Sequence, residues 1–218
     1  MNKTNWQAET DKLINNLDDN RRMLLHACCA PCSSASLEYL TQFFDIDILF
    51  YNPNISTKEE FDKRLDELKR FVSSYPFKKQ IKIISVDYDH NEFLNSVCGL
   101  ENALEGGERC VKCFALRLSK TAEKARFHGY DYFATTLTIS PLKNADVLNK
   151  IGLSLEKIGD ITYLPTDLKK KGRYLRSIEL SKEYDLYRQD FCGCEFSQKQ
   201  REKEKQSYCH PERSATKS

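Results

Sequence analysis

With 218 residues, 40% of them hydrophobic, the chain is long enough for one core-bearing domain and short for two. A net charge of +2 is too small to mark a nucleic-acid binder on its own, no apolar run reaches the ~18 residues that span a bilayer, and the polar start MNKTNWQAETDK lacks the apolar stretch of a secretory signal. The expected compartment is the cytoplasm, where nine cysteines argue for metal binding or thiol redox chemistry rather than a disulfide framework.

Residues 1–21 read as an N-terminal helical extension. The first strand is predicted over Met23-Leu24-Leu25-His26-Ala27, with His26 as a candidate hydrogen-bonded core histidine. It runs directly into Cys28-Cys29-Ala30-Pro31-Cys32, and Ser33–Phe43 then carries apolar residues at helical spacing. A helix N-terminus offers free amides and a positive dipole, which favour anionic sulfur. A single cysteine is often a small buried hydrophobe, but three within five residues are hard to explain that way.

The second strand, Ile46–Phe50, leads to Tyr51-Asn52-Pro53-Asn54, and Ser56-Thr-Lys-Glu59 has the capping-box pattern before the stripe Phe61, Leu65, Leu68. Ile81–Ile84 is a third strand. Gly106-Gly107 then breaks the chain before a predicted helix over Glu108–His128 with an apolar stripe at Val111, Ala115, Leu118 and Ala122, so that Cys110 and Cys113 open it.

Tyr132–Thr135 is the fourth strand, followed by Thr135-Thr136-Leu-Thr-Ile-Ser140-Pro141-Leu-Lys143-Asn144. Ser140 with Pro141 has the pattern of an N-cap and first helical proline, whose amides could hold an anion, although ordinary capping explains it as well. After the fifth strand, Ile161–Leu164, Asp167 precedes a basic run, Lys169-Lys170-Lys171-Gly-Arg173, and Asp190 precedes Cys192-Gly-Cys194. Each aspartate is a candidate proton donor or oxygen ligand against a plainer role in a turn. The basic run is either a solvated helix face or a phosphate-binding patch.

Strands alternating with helices predict an α/β fold, a Rossmann-like parallel sheet flanked by helices with a C-terminal helical part, and function in the loops beyond the strands' carboxyl ends. The α/β domain with its metal site is expected over residues 22–197. Residues 198–218 are polar, a solvated helix end or, as we expect, a disordered tail.

Three chemistries compete for the thiols. Cys29-x-x-Cys32 alone has the spacing of a dithiol redox couple, but that leaves Cys28, Cys110, Cys113, Cys192 and Cys194 unused. One zinc needs four ligands, fewer than the six or seven clustered thiols. Soft thiolates in surplus suit an iron–sulfur cluster with ligands left for a neighbouring metal. Cys98 and Cys209 are isolated and receive no ligand role.

The blocks Leu-His-Ala-Cys28-Cys29-Ala-Pro-Cys32, Tyr51-Asn-Pro-Asn54, Arg109-Cys110-x-x-Cys113, Thr135-Thr136-Leu-Thr-Ile-Ser-Pro-x-Lys143-Asn144, Tyr163-Leu-Pro-x-Asp167-x-Lys-Lys and Tyr187-Arg-Gln-Asp-Phe-Cys192-Gly-Cys194 resemble, in order over about residues 22–197, the QueH-type epoxyqueuosine reductases. The resemblance implies an adenine-nucleotide-hydrolase-like sheet and reduction of the epoxide of epoxyqueuosine, at the wobble position of tRNA, to the alkene of queuosine. It further implies a [4Fe–4S] cluster beside a second, mononuclear metal ion (iron or zinc), with no cobalamin. The glycine fingerprint of nicotinamide binding is missing from the sequence, which fits an external low-potential electron donor.

On this basis Cys110 and Cys113, with members of Cys28, Cys29 and Cys194, are expected to hold the cluster. The remaining thiols would face the second metal, Cys32 among them, with Cys192 a candidate for either and Asp167 or Asp190 as further candidate ligands; the sequence leaves the division open. Asp167, Asp190 and Tyr51 are the candidate catalytic groups. Asn52, Asn54, Thr135, Thr136, Ser140, Lys143, Lys170, Lys171 and Arg173 are the candidate substrate contacts, with Tyr51 or Tyr187 available to stack on an extruded base.

Overall fold

The computed structural model describes residues 4–18 and 21–209. Five parallel strands form one sheet in the order β3-β2-β1-β4-β5: β1 (Arg22–His26), β2 (Asp45–Phe50), β3 (Ile83–Ser85), β4 (Tyr132–Thr135) and β5 (Thr162–Tyr163). All five expected strands are present, and the strand order agrees with the Rossmann-like expectation. β1 is central and buried on both faces, which is why its sequence is a continuous apolar run rather than an alternating one. Met23 and Leu25 pack into one core, Leu24 into the other.

One face is covered by α2 (Ala30–Leu40), α3 (Lys58–Ser74) and α7 (Arg173–Glu183), the other by α5 (Glu108–Phe127) and α6 (Ala145–Glu156). α6 lies so close to β5 that a Cβ at Gly152 would sit 2.3 Å from the Tyr163 ring. α1 (Trp6–Asn15) docks beside α7: Thr10 donates to the Pro165 carbonyl (2.7 Å), Arg173 donates to Gln7, and Lys171 pairs with Asp11 (2.8 Å). α4 (His90–Ser96) follows β3. α8 (Glu195–Cys209) follows the Cys192–Cys194 loop and draws residues 198–209 of the expected tail as helix. Residues 210–218 of that tail, with 1–3 and 19–20 of the N-terminal extension, lie outside the described residues.

Two helix starts differ from their expected places. Thr57, not Ser56, caps α3, accepting from the Glu60 amide (3.2 Å), and the Ser56 amide instead donates to the Gly193 carbonyl (2.9 Å). Ser140 is not an N-cap. It ends a 3-10 turn over Thr136–Ile139, while Asn144 caps α6 by accepting from the Asp146 and Val147 amides, so no helical amides are free at Ser140 for an anion.

β1, β2 and β3 run to one side of the sheet centre and β4 and β5 to the other, so the topological switch point lies between β1 and β4. At their carboxyl ends His26 and Thr135 are register partners, joined through His26 Nδ1 and Thr135 Oγ1 at 3.0 Å. The first cysteine cluster begins two residues beyond His26.

Candidate metal centre

Each cysteine cluster opens a helix. Cys29 is the extended N-cap residue of α2, and Cys32 sits in its first turn. Cys110 and Cys113 lie in the first two turns of α5, where the Gly106 amide donates to Cys110 Sγ (3.2 Å). Cys194 stands before α8, its Sγ accepting from the Ser197 amide (3.4 Å) while its carbonyl accepts from the Gln198 amide (3.1 Å). Three positive helix ends thus point at three groups of sulfurs, a setting that stabilises thiolate.

The sulfurs of Cys28, Cys29 and Cys32 lie within 4.8 Å of one another, with Cys28 and Cys29 at 3.7 Å. They wall a cavity of about 160 Å³ with Cys192, Arg64, Glu105, Ser140, Pro141, Leu142, Lys143, Tyr174, Arg188, Gln189 and Asp190. Cys110, Cys113, Cys192 and Cys194 line an adjoining hollow whose other walls include Phe93, Phe114, Arg109 and Asn54. Cys192 and Glu105 belong to both spaces, so the two thiol groups are neighbours.

The Cys192–Cys194 loop is tied to the domain at several points. Arg64, itself paired with Glu60 (2.7 Å), donates to the Cys192 carbonyl (3.2 Å), and Ser197 Oγ accepts from the Cys192 amide (3.2 Å) and donates to Glu105 (3.2 Å). Gly193 has φ +116° and lies against Ile55 and Arg64, so a side chain there would be strained and crowded.

Charge in the centre is unusual for a protein interior. The Cys29 and Cys32 thiols donate to Cys28, and with Lys143 and Arg117 nearby they hold its pKa well below the usual thiol value. Cys29, donating to that sulfur, is pushed up to about 12, and Cys32 is raised for the same reason. Burial raises Cys113 to about 11 and Cys194 to about 12. Most of these thiols therefore resist ionisation unless a cation takes the charge. Lys143 stays protonated: burial opposes its charge, but the sulfurs of Cys192, Cys28 and Cys32 outweigh burial and raise its pKa.

The donor set fits an iron–sulfur group. Seven thiols converge, and Arg117, 1% exposed, donates to His26 Nε2 (3.3 Å) and Cys113 Sγ (3.7 Å) but leaves Nη2 without a partner. An uncompensated buried cation is costly, so this guanidinium calls for an anion beside it. Thiolates holding a metal group supply one.

The expected substrate and catalytic residues divide. Ser140, Lys143 and Asp190 line the larger cavity and Asn54 the smaller hollow. Asp190 is ion-paired with Lys205 (2.5 Å), which lowers its pKa and makes it a poor proton donor. Asp167 lies outside both spaces, paired with Lys169 (2.5 Å). Tyr51 is buried, its hydroxyl donating to Glu92 (2.6 Å), and burial with that carboxylate raises its pKa. Asn52 donates to the Ala27 carbonyl (2.9 Å), and Thr135 accepts from the Leu137 amide (3.1 Å), so both brace the strand ends beneath the thiols; Thr136 is buried there too.

In the basic run, Lys170 and Lys171 are exposed, whereas Arg173 is buried over the Tyr39 ring and donates to Gln7 and the Leu168 carbonyl. Tyr187 is half-buried, with its hydroxyl at Glu60 and Lys63 over its ring. Cys98 is exposed.

Arg109 and Arg117 were invisible to the apolar-stripe reading of α5. The buried face of its first half is Arg109, Cys113, Phe114 and Arg117 rather than Val111 and Ala115. The available signal was spacing, because Cys110, Cys113 and Arg117 recur at i, i+3 and i+7 and so share one helix face.

Among the described residues no helix is long and apolar enough to cross a membrane. A family model described as epoxyqueuosine reductase QueH matches residues 23–200. The chain is 48% identical over 179 residues to the epoxyqueuosine reductase QueH of Streptococcus pyogenes, covering 81% of this chain and 70% of the relative. It is 41% identical over 202 residues to that of Staphylococcus epidermidis (89% and 85% covered) and 33% over 178 residues to that of Thermotoga maritima (80% and 89%). A match of this extent, over the segment that carries every thiol of the centre, places the chain in the QueH family of epoxyqueuosine reductases.

Proposed function

We propose that the chain reduces epoxyqueuosine in tRNA to queuosine, using a [4Fe–4S] cluster next to a mononuclear metal ion. The observation that carries this reading is the meeting of all three cysteine clusters around two adjoining spaces with a common wall at Cys192. Cys110, Cys113, Cys192 and Cys194 are the four thiols suited to the cluster. Cys28, Cys29 and Cys32, with sulfurs within 4.8 Å of one another, suit the second metal, iron or zinc. This differs from the division expected from sequence, which assigned members of Cys28 and Cys29 to the cluster.

Removing the epoxide oxygen consumes two electrons and two protons and yields the alkene and water. When bound, the metal centre supplies the electrons from an external low-potential reductant and a Lewis acid for the departing oxygen. The protein's own groups set the stage for this. Lys143, at the cavity wall with its charge held on by neighbouring sulfurs, can stabilise negative charge developing on that oxygen. Arg188 and Gln189 offer donors at the same wall for the ring hydroxyls or the base. The apolar sides, Pro141, Leu142 and Tyr174, exclude water from the ring.

The first turns of α7 border the cavity through Tyr174 and Ser177, and the exposed Lys170 and Lys171 just precede them, where they can meet tRNA phosphates. The polypeptide is organised, on this reading, as an N-terminal extension (1–21), a catalytic domain (22–197) and a C-terminal segment, acting in the cytoplasm.

The test is mass spectrometry of nucleosides from epoxyqueuosine-containing tRNA after incubation with anaerobically reconstituted protein and a low-potential reductant. Conversion to queuosine is expected. A protein that carries its full complement of iron and sulfide yet leaves the nucleoside unchanged refutes the activity. A colourless zinc-loaded protein refutes the cluster.

A further inference from the structure

Arg117 lies between the end of β1 and the Cys113 sulfur, in contact with His26 and Cys113. It projects from α5 on the face that also carries Cys113, one turn before it, and its side chain is 1% exposed. Its Nε donates to His26 Nε2 (3.3 Å), its Nη1 to Cys113 Sγ (3.7 Å), and Nη2 has no partner. Among the described residues it makes no ion pair with a carboxylate, unlike the buried Arg64 of the cavity wall, which pairs with Glu60. An arginine keeps its charge when buried, and among the described residues the one anion-forming group its guanidinium touches is Cys113 Sγ. The anion that balances Arg117 is therefore the sulfur centre, once its thiols bind metal.

His26 completes the arrangement. Its Nε2 lies 3.3 Å from Arg117 Nε and 3.1 Å from the Tyr51 carbonyl, and its Nδ1 lies 3.0 Å from Thr135 Oγ1, so the ring is held from both sides. Thr135 Oγ1 in turn accepts from the Leu137 amide. A chain of contacts thus runs from the β1–β4 switch point through His26 to the guanidinium, fixing its position against Cys113.

We propose that Arg117 is a positioning residue, the internal counter-cation of the sulfur centre, which holds Cys113 in place and raises the electron affinity of the iron–sulfur group bound there. The inference rests on the cluster reading above. A fixed positive charge in a dry interior stabilises the added electron of a reduced cluster, and potentials of such clusters follow local charge and hydrogen bonds to sulfur.

The test compares wild type, Arg117→Lys and Arg117→Gln after anaerobic reconstitution. Iron and sulfide per chain are measured, followed by the midpoint potential in an absorbance- or EPR-monitored redox titration. Arg117→Gln is expected to bind electrons at least tenfold more weakly, a fall of about 59 mV for a one-electron couple. Arg117→Lys, which keeps the charge, is expected to recover most of the difference, a rescue that packing alone would not give. Arg117→Gln with normal iron content and an unchanged potential overturns the inference and leaves the cluster reading standing. Failure of wild type to take up iron and sulfide removes both. If Arg117→Gln does not fold, Arg117→Lys decides: folding with normal iron content and a potential near wild type supports the charge role, and failure of the charge-conserving variant to fold or to keep the potential overturns it.

Discussion

Tyr51 is the position at which a structural and a catalytic role can be separated most cleanly. Its hydroxyl is buried, donates to the Glu92 carboxylate at 2.6 Å, and is held protonated by burial and by that carboxylate. It lines neither space of the metal centre. Tyr51→Phe removes the hydroxyl and keeps the ring packed against the α5 side of the sheet. A charge-assisted hydrogen bond contributes about 1.5–3 kcal/mol. For a chain of this size, each kcal/mol shifts Tm by ~2–4 °C, so the expected loss is roughly 3–12 °C. Thermal unfolding of metal-free wild type and variant measures it without the complication of metal release. Single-turnover reduction of tRNA by the loaded proteins then gives the catalytic side, where the rate should remain within about twofold of wild type, since a general acid contributes ~100-fold or more. An unchanged Tm with a rate lowered by ~100-fold would refute the structural assignment and restore Tyr51 as the proton donor.

Gly152→Ala drives a methyl group into the Tyr163 ring and should cost about 1–3 kcal/mol in denaturant unfolding, with most of it returned by a second substitution, Tyr163→Leu, that opens space. Glu38 joins α2 to α7 through Arg176 (2.8 Å), which lowers its pKa, with a smaller contribution from Tyr75. A carboxyl with a depressed folded pKa adds stability above its unfolded value of about 4.3, and that gain disappears as pH falls through the folded value. Both side chains are about a third exposed, so the effect is about 1 kcal/mol or less, and Glu38→Gln should flatten the acid limb of a stability–pH profile by that much. In the basic run, Lys170→Glu should weaken tRNA binding and reduce its salt slope with Tm nearly unchanged, and Lys171→Glu should do the same with a small loss of Tm, because it also breaks the pair with Asp11. Arg173→Ala should do the reverse, because that guanidinium is committed to Gln7, Leu168 and the Tyr39 ring. Equal effects of all three on affinity would contradict the division.

Much of the sheet could be read from sequence because β1 is buried on both faces and most of β2 is buried, so Met23–Leu25 and Ile48–Phe50 stand out as apolar runs. The thiol clusters were equally legible, since each lies where a loop becomes a helix, and that position is set by local residues such as Pro31 and Gly107. Polar residues at strand ends were harder to assign. Asn52 and Thr135 look like substrate contacts in a linear reading, but loops crossing a sheet edge leave backbone groups that must be satisfied, and these side chains do so. The Ser140-Pro141 pair has capping chemistry, yet Asn144 accepts two amides where Ser140 could not without lengthening α6 by a turn. Arg117 went unnoticed, and Arg109 figured only within a motif, for another reason. A search for apolar periodicity discards charged positions, and these two are buried through partners that sequence does not reveal: Arg109 donates to the Leu100, Glu101 and Ala103 carbonyls, and Arg117 faces His26 and the Cys113 sulfur.

That last point ties fold to chemistry. Three helix ends, from α2, α5 and α8, and the cations Arg117 and Lys143 surround seven thiols that would mostly stay protonated in a neutral interior. Each helix end contributes partial positive charge at a fixed place. The fold thus prepares the site for negative charge before metal arrives, and the arrangement has a consequence for stability. Without metal, the cations lack full compensation while Cys113 and Cys194, raised to about 11 and 12, stay neutral at physiological pH. Loading the centre deprotonates those thiols and supplies the missing anion, so binding should both release protons and raise Tm. The proton release is the discriminating measurement, read as a dependence of binding enthalpy on the ionisation enthalpy of the buffer. A centre whose thiols were already ionised in the metal-free protein would bind with no such dependence.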